Sequence, residues 1–147
     1  MQPFDPKSVL LAKHAQHVVL VHFPIALYIA GVLFDVLSRG KKLSAFASAA
    51  YFNFSLAALS TIPVIATGLL AWQFALEGQK LKGILLGHLI FAILSTLQIC
   101  ATWWVHRRAR RDPGEALPGY RLAVEALGVC LVALTGHLGG LLTGVNT

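Results

Sequence analysis

Four long apolar blocks, separated only by short polar stretches, constrain this chain more than any other feature of its sequence. A bilayer core about 30 Å thick is crossed by roughly 20 consecutive apolar residues in a helix. The blocks have that length, and lipid gives exposed backbone no hydrogen-bond partner, so each block must satisfy its own N–H and C=O groups as a helix. The pattern predicts spans over 17–37, 47–72, 83–105 and 119–143. Composition agrees. The chain is 56% apolar and 12% charged, where a soluble domain carries about a quarter charged residues. Mean hydropathy is +0.70. These values exclude the soluble, disordered and fibrous classes and leave an integral membrane protein.

The expected architecture is all-α: a four-span transmembrane domain over 17–147, preceded by an N-terminal arm over 1–16. Short connections between antiparallel spans favour an up-and-down four-helix bundle, with span three diagonal to span one. The arm carries Asp5 and two prolines, unlike the basic start of a cleavable signal, so the first span is expected to stay as an anchor. The net charge of +6 does not point to nucleic acid, because the basic residues flank the spans. Arg39, Lys41, Lys42, Arg107, Arg108, Arg110, Arg111 and Arg121 fall at one end, and only Lys7, Lys13, Lys80 and Lys82 at the other. By the positive-inside rule the eight-residue end is cytoplasmic and both termini face outward. Trp72, Trp103, Trp104, Tyr51 and Tyr120 fit interfacial positions near span ends.

Pro24 and Pro63 lie inside spans and are expected to bend them locally. Glycines recur four apart as Gly83/Gly87 and as Gly136/Gly140/Gly144, a spacing that lets helices approach closely in lipid. A faint internal repeat is visible: His22 with Ala26 is echoed by His88 with Ala92, and Thr67-Gly68 by Thr135-Gly136. Two tandem helical hairpins, related by an axis along the membrane normal, would produce it. Cys100 and Cys130 lie within spans without metal-binding or redox spacing and read as packing residues. No Ser-His-Asp set, P-loop or dinucleotide fingerprint is present, and no CxxCH, so hydrolytic, nucleotide and c-type haem chemistry lack support.

Histidines are the polar residues that matter most here. His22, His88 and His137 each fall about six residues inside the outer end of a span, roughly 9 Å deep at 1.5 Å per residue. Ionisable groups within a membrane face the bundle interior or a cavity and mark function by default. Neutral imidazole is a common metal ligand, and bundles build cofactor sites from facing helices. The diagonal pair His22 and His88 is therefore the preferred axial pair for a haem iron, with His137 as alternative ligand or supporting partner. His17 is a fourth candidate. It points about 140° from His22 on a regular helix, so the two cannot serve one small site. A zinc or copper centre is the other metal reading. His106 beside the arginine run reads as a solvated interfacial residue. Glu125, four residues after Arg121, reads first as its intrahelical ion-pair partner, with a proton-relay role as the sharper alternative.

The string His17-Val-Val-Leu-Val-His22-Phe-Pro24-Ile-Ala-Leu27, together with Ala66-Thr67-Gly68 and Thr135-Gly136-His137-Leu138-Gly139-Gly140, resembles the domain of unknown function 2231 family. The likeness covers nearly the whole chain. It implies a four-span fold in a bacterial inner membrane and gives weight to His17, His22, His88 and His137. Association of such domains with cytochrome-type modules implies a redox role, by analogy. The functional expectation is a b-type haem protein passing electrons near the outer face, as a small subunit of a respiratory or dehydrogenase complex rather than a stand-alone enzyme. Its partners would be the lipid bilayer, a redox subunit or cytochrome, a quinone, or a second copy of the chain. The alternatives are a non-redox assembly subunit and a histidine zinc or copper site.

Overall fold

The computed structural model describes residues 13–41, 44–111 and 117–144. Every regular element among them is a helix: α1 (Lys13–Leu20), α2 (His22–Lys41), α3 (Ser44–Phe74), α4 (Gly83–Arg111) and α5 (Arg121–Leu142). They form four apolar segments long enough to cross a membrane, Ala15–Arg39, Ser44–Phe74, Gly83–Arg111 and Arg121–Leu142. All four expected spans are present, three of them longer than expected. Residues 1–12 of the expected arm lie outside the described ones, and 13–16 are already helical.

The first span is interrupted at Val21, which separates α1 from α2. Pro24 explains the break, because proline removes one helical donor and its ring crowds the carbonyl four residues earlier, here Leu20. Pro63, by contrast, lies inside a continuous α3. The helices pack as a ring in chain order, with α2 against α3, α3 against α4, α4 against α5 and α5 back against α2. The first and third spans are therefore diagonal, as the short connections imply. Leu59, Ile62, Leu97 and Val19, each at least 62% exposed, clad the outside. Such an apolar exterior suits lipid rather than water.

Inside, the buried positions advance by alternate steps of four and three, the seam of near-parallel helices. On α2 they are Pro24, Tyr28, Gly31 and Asp35; on α3, Ala50, Phe54, Ala57, Thr61 and Ala71; on α4, Ser95, Ile99, Thr102 and His106; on α5, Glu125, Gly128 and Val132. Fourteen of these sixteen residues form seven pairs separated by 71 residues, among them Tyr28/Ile99, Asp35/His106, Phe54/Glu125 and Ala57/Gly128. One offset serves both hairpins, so the chain is an internal repeat. Its register differs from the one suggested by aligning His22 with His88, and it pairs His17 with His88 instead.

The tightest glycine contacts lie at positions other than the expected ones, although a Cβ on the expected Gly136 would already stand 3.4 Å from Ile25. At Gly31 a Cβ would meet the Phe54 ring at 2.7 Å, and at Gly128 it would overlap the Tyr28 hydroxyl. Gly87 has only Leu138 at 3.9 Å, whereas Gly83 and Gly144 have positive φ and lie at helix boundaries. Tyr28 enters the notch at Gly128, stands 5.5 Å from the Phe54 ring and shares a 3.1 Å hydrogen bond with Thr102 on the diagonal helix. This aromatic and hydroxyl contact through the bundle centre separates two polar ends.

Candidate functional site

At the end carrying the described N- and C-terminal residues, His17 and His88 face each other across the diagonal. Their ring centroids are 6.5 Å apart and their planes stand at 87°. Each residue lies one heptad beyond a buried position, His17 before Pro24 and His88 before Ser95, which is why both point inward. The ring nitrogens have defined roles. Thr67 Oγ1 already donates to the Pro63 carbonyl at 2.8 Å, so in the 3.3 Å contact with His17 it accepts from Nδ1–H. His88 Nδ1 donates to the Thr135 carbonyl at 3.1 Å. Both imidazoles thus donate from Nδ1, as an oriented metal ligand does.

Glycines make room for the rings. A Cβ on Gly68 would lie 2.9 Å from His17 Cε1, and one on Gly139 would lie 3.3 Å from His88 Cε1. These two glycines are themselves 71 residues apart, one on α3 and one on α5. Ser95 continues the site inward, donating to Thr135 Oγ1 at 2.8 Å, whose own proton goes to the Leu131 carbonyl.

The other sequence candidates lie elsewhere. His22 is exposed, and its Nδ1 donates to the Val18 carbonyl of its own span at 2.7 Å. His137 is exposed too. Each is two residues from a seam position, His22 from Pro24 and His137 from Gly139. Two residues turn a helix by about 200°, which puts the side chain on the outer face. The structure thus joins His88 to His17 rather than to His22.

At the opposite, arginine-rich end lies a second polar group that the sequence reading divided wrongly. Arg121 does not pair with Glu125 along its own helix. It reaches Asp35 on α2 with two parallel hydrogen bonds, 2.9 Å from Nε and 3.0 Å from the terminal nitrogen. Nor is His106 a solvated interfacial residue. It is 5% exposed, packs 4.7 Å from the Phe54 ring and donates from Nε2 to Glu125 Oε1 at 2.9 Å. The missed signal was the seam itself, because Asp35, His106, Arg121 and Glu125 all continue the four-three spacing. Two other arginines lie over rings, Arg107 over Trp103 at 5.0 Å and Arg110 over Tyr51 at 4.6 Å. Cys100 and Cys130 are free thiols.

Comparison with known proteins adds a family and no activity. The family model described as predicted membrane protein (DUF2231) matches residues 13–146, which covers all four spans. No curated protein matches the chain, and no solved structure does.

Proposed function

We propose that this chain, which belongs to the DUF2231 family of predicted membrane proteins, binds a b-type haem between His17 and His88 and serves electron transfer at one face of the membrane. The observation that carries this reading is the spacing of the two rings. With metal–nitrogen bonds of about 2.0 Å, two imidazoles whose centres lie about 6 Å apart can both reach one iron held between them. The separation found is 6.5 Å. Both rings donate from Nδ1, and Gly68 and Gly139 remove side chains from beside the rings. This replaces His22 by His17 in the pair expected from sequence.

A bound haem would supply reversible one-electron chemistry. The work of the chain would be to hold and tune the iron. Thr67 and the Thr135 carbonyl fix both rings by their Nδ1 protons and raise ligand basicity. With the arginine-rich end cytoplasmic, the site lies near the outer surface of the inner membrane, within reach of a redox subunit or of quinone in the lipid. A second, non-redox reading rests on the same Nδ1 bonds, since a histidine bonded to a neighbouring helix can be a packing contact worth about 0.6 kcal/mol in a bilayer.

The visible spectrum of detergent-purified protein from haem-replete cells, before and after dithionite, decides between them. A Soret band with sharpened reduced bands is expected. It should vanish in His17→Ala and in His88→Ala and survive in His22→Ala and His137→Ala. A colourless wild-type preparation overturns the haem reading, and elemental analysis of it then tests zinc or copper at the same pair.

A further inference from the structure

The polar group at the arginine-rich end is chemically unlike the histidine pair and is not used by the proposed electron transfer. Asp35 and Glu125 are each 1% exposed and His106 is 5% exposed. One ligand atom from each lies within 4.8 Å of the others. Glu125 Oε1 accepts from His106, but Glu125 Oε2 is fully buried without any hydrogen-bond partner. An unsatisfied carboxylate oxygen in a low-dielectric interior is costly and calls for a ligand. Arg121 pairs with Asp35 rather than with Glu125.

From this geometry we infer that Asp35, His106 and Glu125 form a binding site for a divalent transition cation of the zinc, manganese or iron(II) type. One imidazole nitrogen and two carboxylates are the donor set such borderline ions accept. Glu125 Oε2 offers an oxygen that nothing else in the protein occupies, and release of the His106 Nε2 proton to solvent on metal binding frees that nitrogen for the same ion. The bidentate Arg121 contact becomes the outer support of Asp35, since ligating carboxylates are themselves hydrogen-bonded and each oxygen keeps a second lone pair. The Phe54 ring holds the imidazole from one side. A cleft of about 50 Å³ between α4 and α5, walled by Ala101, Val105, Tyr120 and Val124, has His106 and Glu125 in its lining. The site begins about one helical turn inside the start of α5 at Arg121, near the aqueous boundary rather than at the bilayer centre.

The test is metal binding by the full chain in detergent after chelator treatment, with Mn²⁺, Zn²⁺ and Co²⁺ as separate probes. One equivalent per chain is expected by elemental analysis, and Co²⁺ should give a visible ligand-field band that Zn²⁺ displaces. Glu125→Gln and His106→Gln should each weaken binding at least ~10-fold while leaving the spectrum of the histidine-pair site intact. His88→Ala should leave binding at the carboxylate site unchanged. Three results overturn the assignment: no stoichiometric metal in the wild type, binding indifferent to both variants, or binding lost in His88→Ala instead. The first leaves Glu125 Oε2 without a cation, and the third assigns the ion to the histidine pair. The Co²⁺ band and its displacement need only wild-type protein, so the proposal stays testable if a variant does not fold.

Discussion

The two ends of the bundle use the same seam positions in opposite ways. At the histidine end the internal repeat is kept: His17 matches His88 and Gly68 matches Gly139. At the arginine end it is broken, because Asp35 matches His106, Phe54 matches Glu125 and Ala50 matches Arg121. Equal partners across a diagonal suit a ligand with two equivalent faces. Unequal partners bring acid, base and cation into one buried group. A seam repeated at a 71-residue offset thus holds two different polar groups, and the difference lies in which seam positions have diverged.

Substitutions can break this contrast, and the largest effect is expected at the equal end. His17→Ala or His88→Ala should remove the Soret band entirely, while His22→Ala should leave it at wild-type intensity. Loss of colour in His22→Ala with retention in His17→Ala would reverse the ligand assignment and dissolve the symmetry of the pair. At the unequal end, Arg121→Met leaves Asp35 buried and uncompensated, a loss of about 3–5 kcal/mol read as a lowered unfolding midpoint in detergent. Adding Asp35→Leu to it should recover most of that stability, because an apolar pair of similar volume removes both buried charges. Neither change should shift the haem spectrum. The two ends are 18 residues apart along α4, about 27 Å.

Between the ends, Gly128→Ala forces a methyl group against Tyr28 and should cost about 1–3 kcal/mol. Gly87→Ala, whose nearest neighbour is the flexible Leu138 at 3.9 Å, should change stability by less than about 0.5 kcal/mol. Ser95→Ala deletes one interhelical hydrogen bond beside His88 and should cost about 0.6 kcal/mol, an effect as small as that of the Gly87 change. Its sharper use is spectral: a displaced reduced band would show that the hydroxyl chain from Ser95 to Thr135 tunes the histidine pair.

The spans were legible in the sequence because their signal is additive. Some twenty apolar residues outvote any single exception, and the flanking arginines mark the ends. The site was less legible because it depends on phase, where an error of two residues turns a side chain by about 200°. Choosing His22 relied on depth and on an approximate repeat. The phase was nevertheless present: Pro24, Tyr28, Gly31 and Asp35 define the inner face of the first span, and one heptad back from Pro24 is His17. The partners of Arg121 and His106 were hidden for a different reason. A four-residue spacing to Glu125 satisfies a local rule for ion pairs, whereas Asp35 lies 86 residues away in sequence and meets Arg121 only because the fourth span closes the ring against the first.

The 71-residue register has a consequence for how such a protein can change. Its two hairpins stand like the protomers of a two-fold dimer, and in a true homodimer every substitution appears twice. A carboxylate placed at one seam position would face its own copy, and a buried like-charge pair would oppose assembly. Joining the halves in one chain lifts that restriction. Phe54 can remain an aromatic plug while its counterpart is Glu125, and Asp35 can remain an acid while its counterpart is His106. Tandem linkage is what gives one end the freedom to become asymmetric while the other keeps its matched histidines.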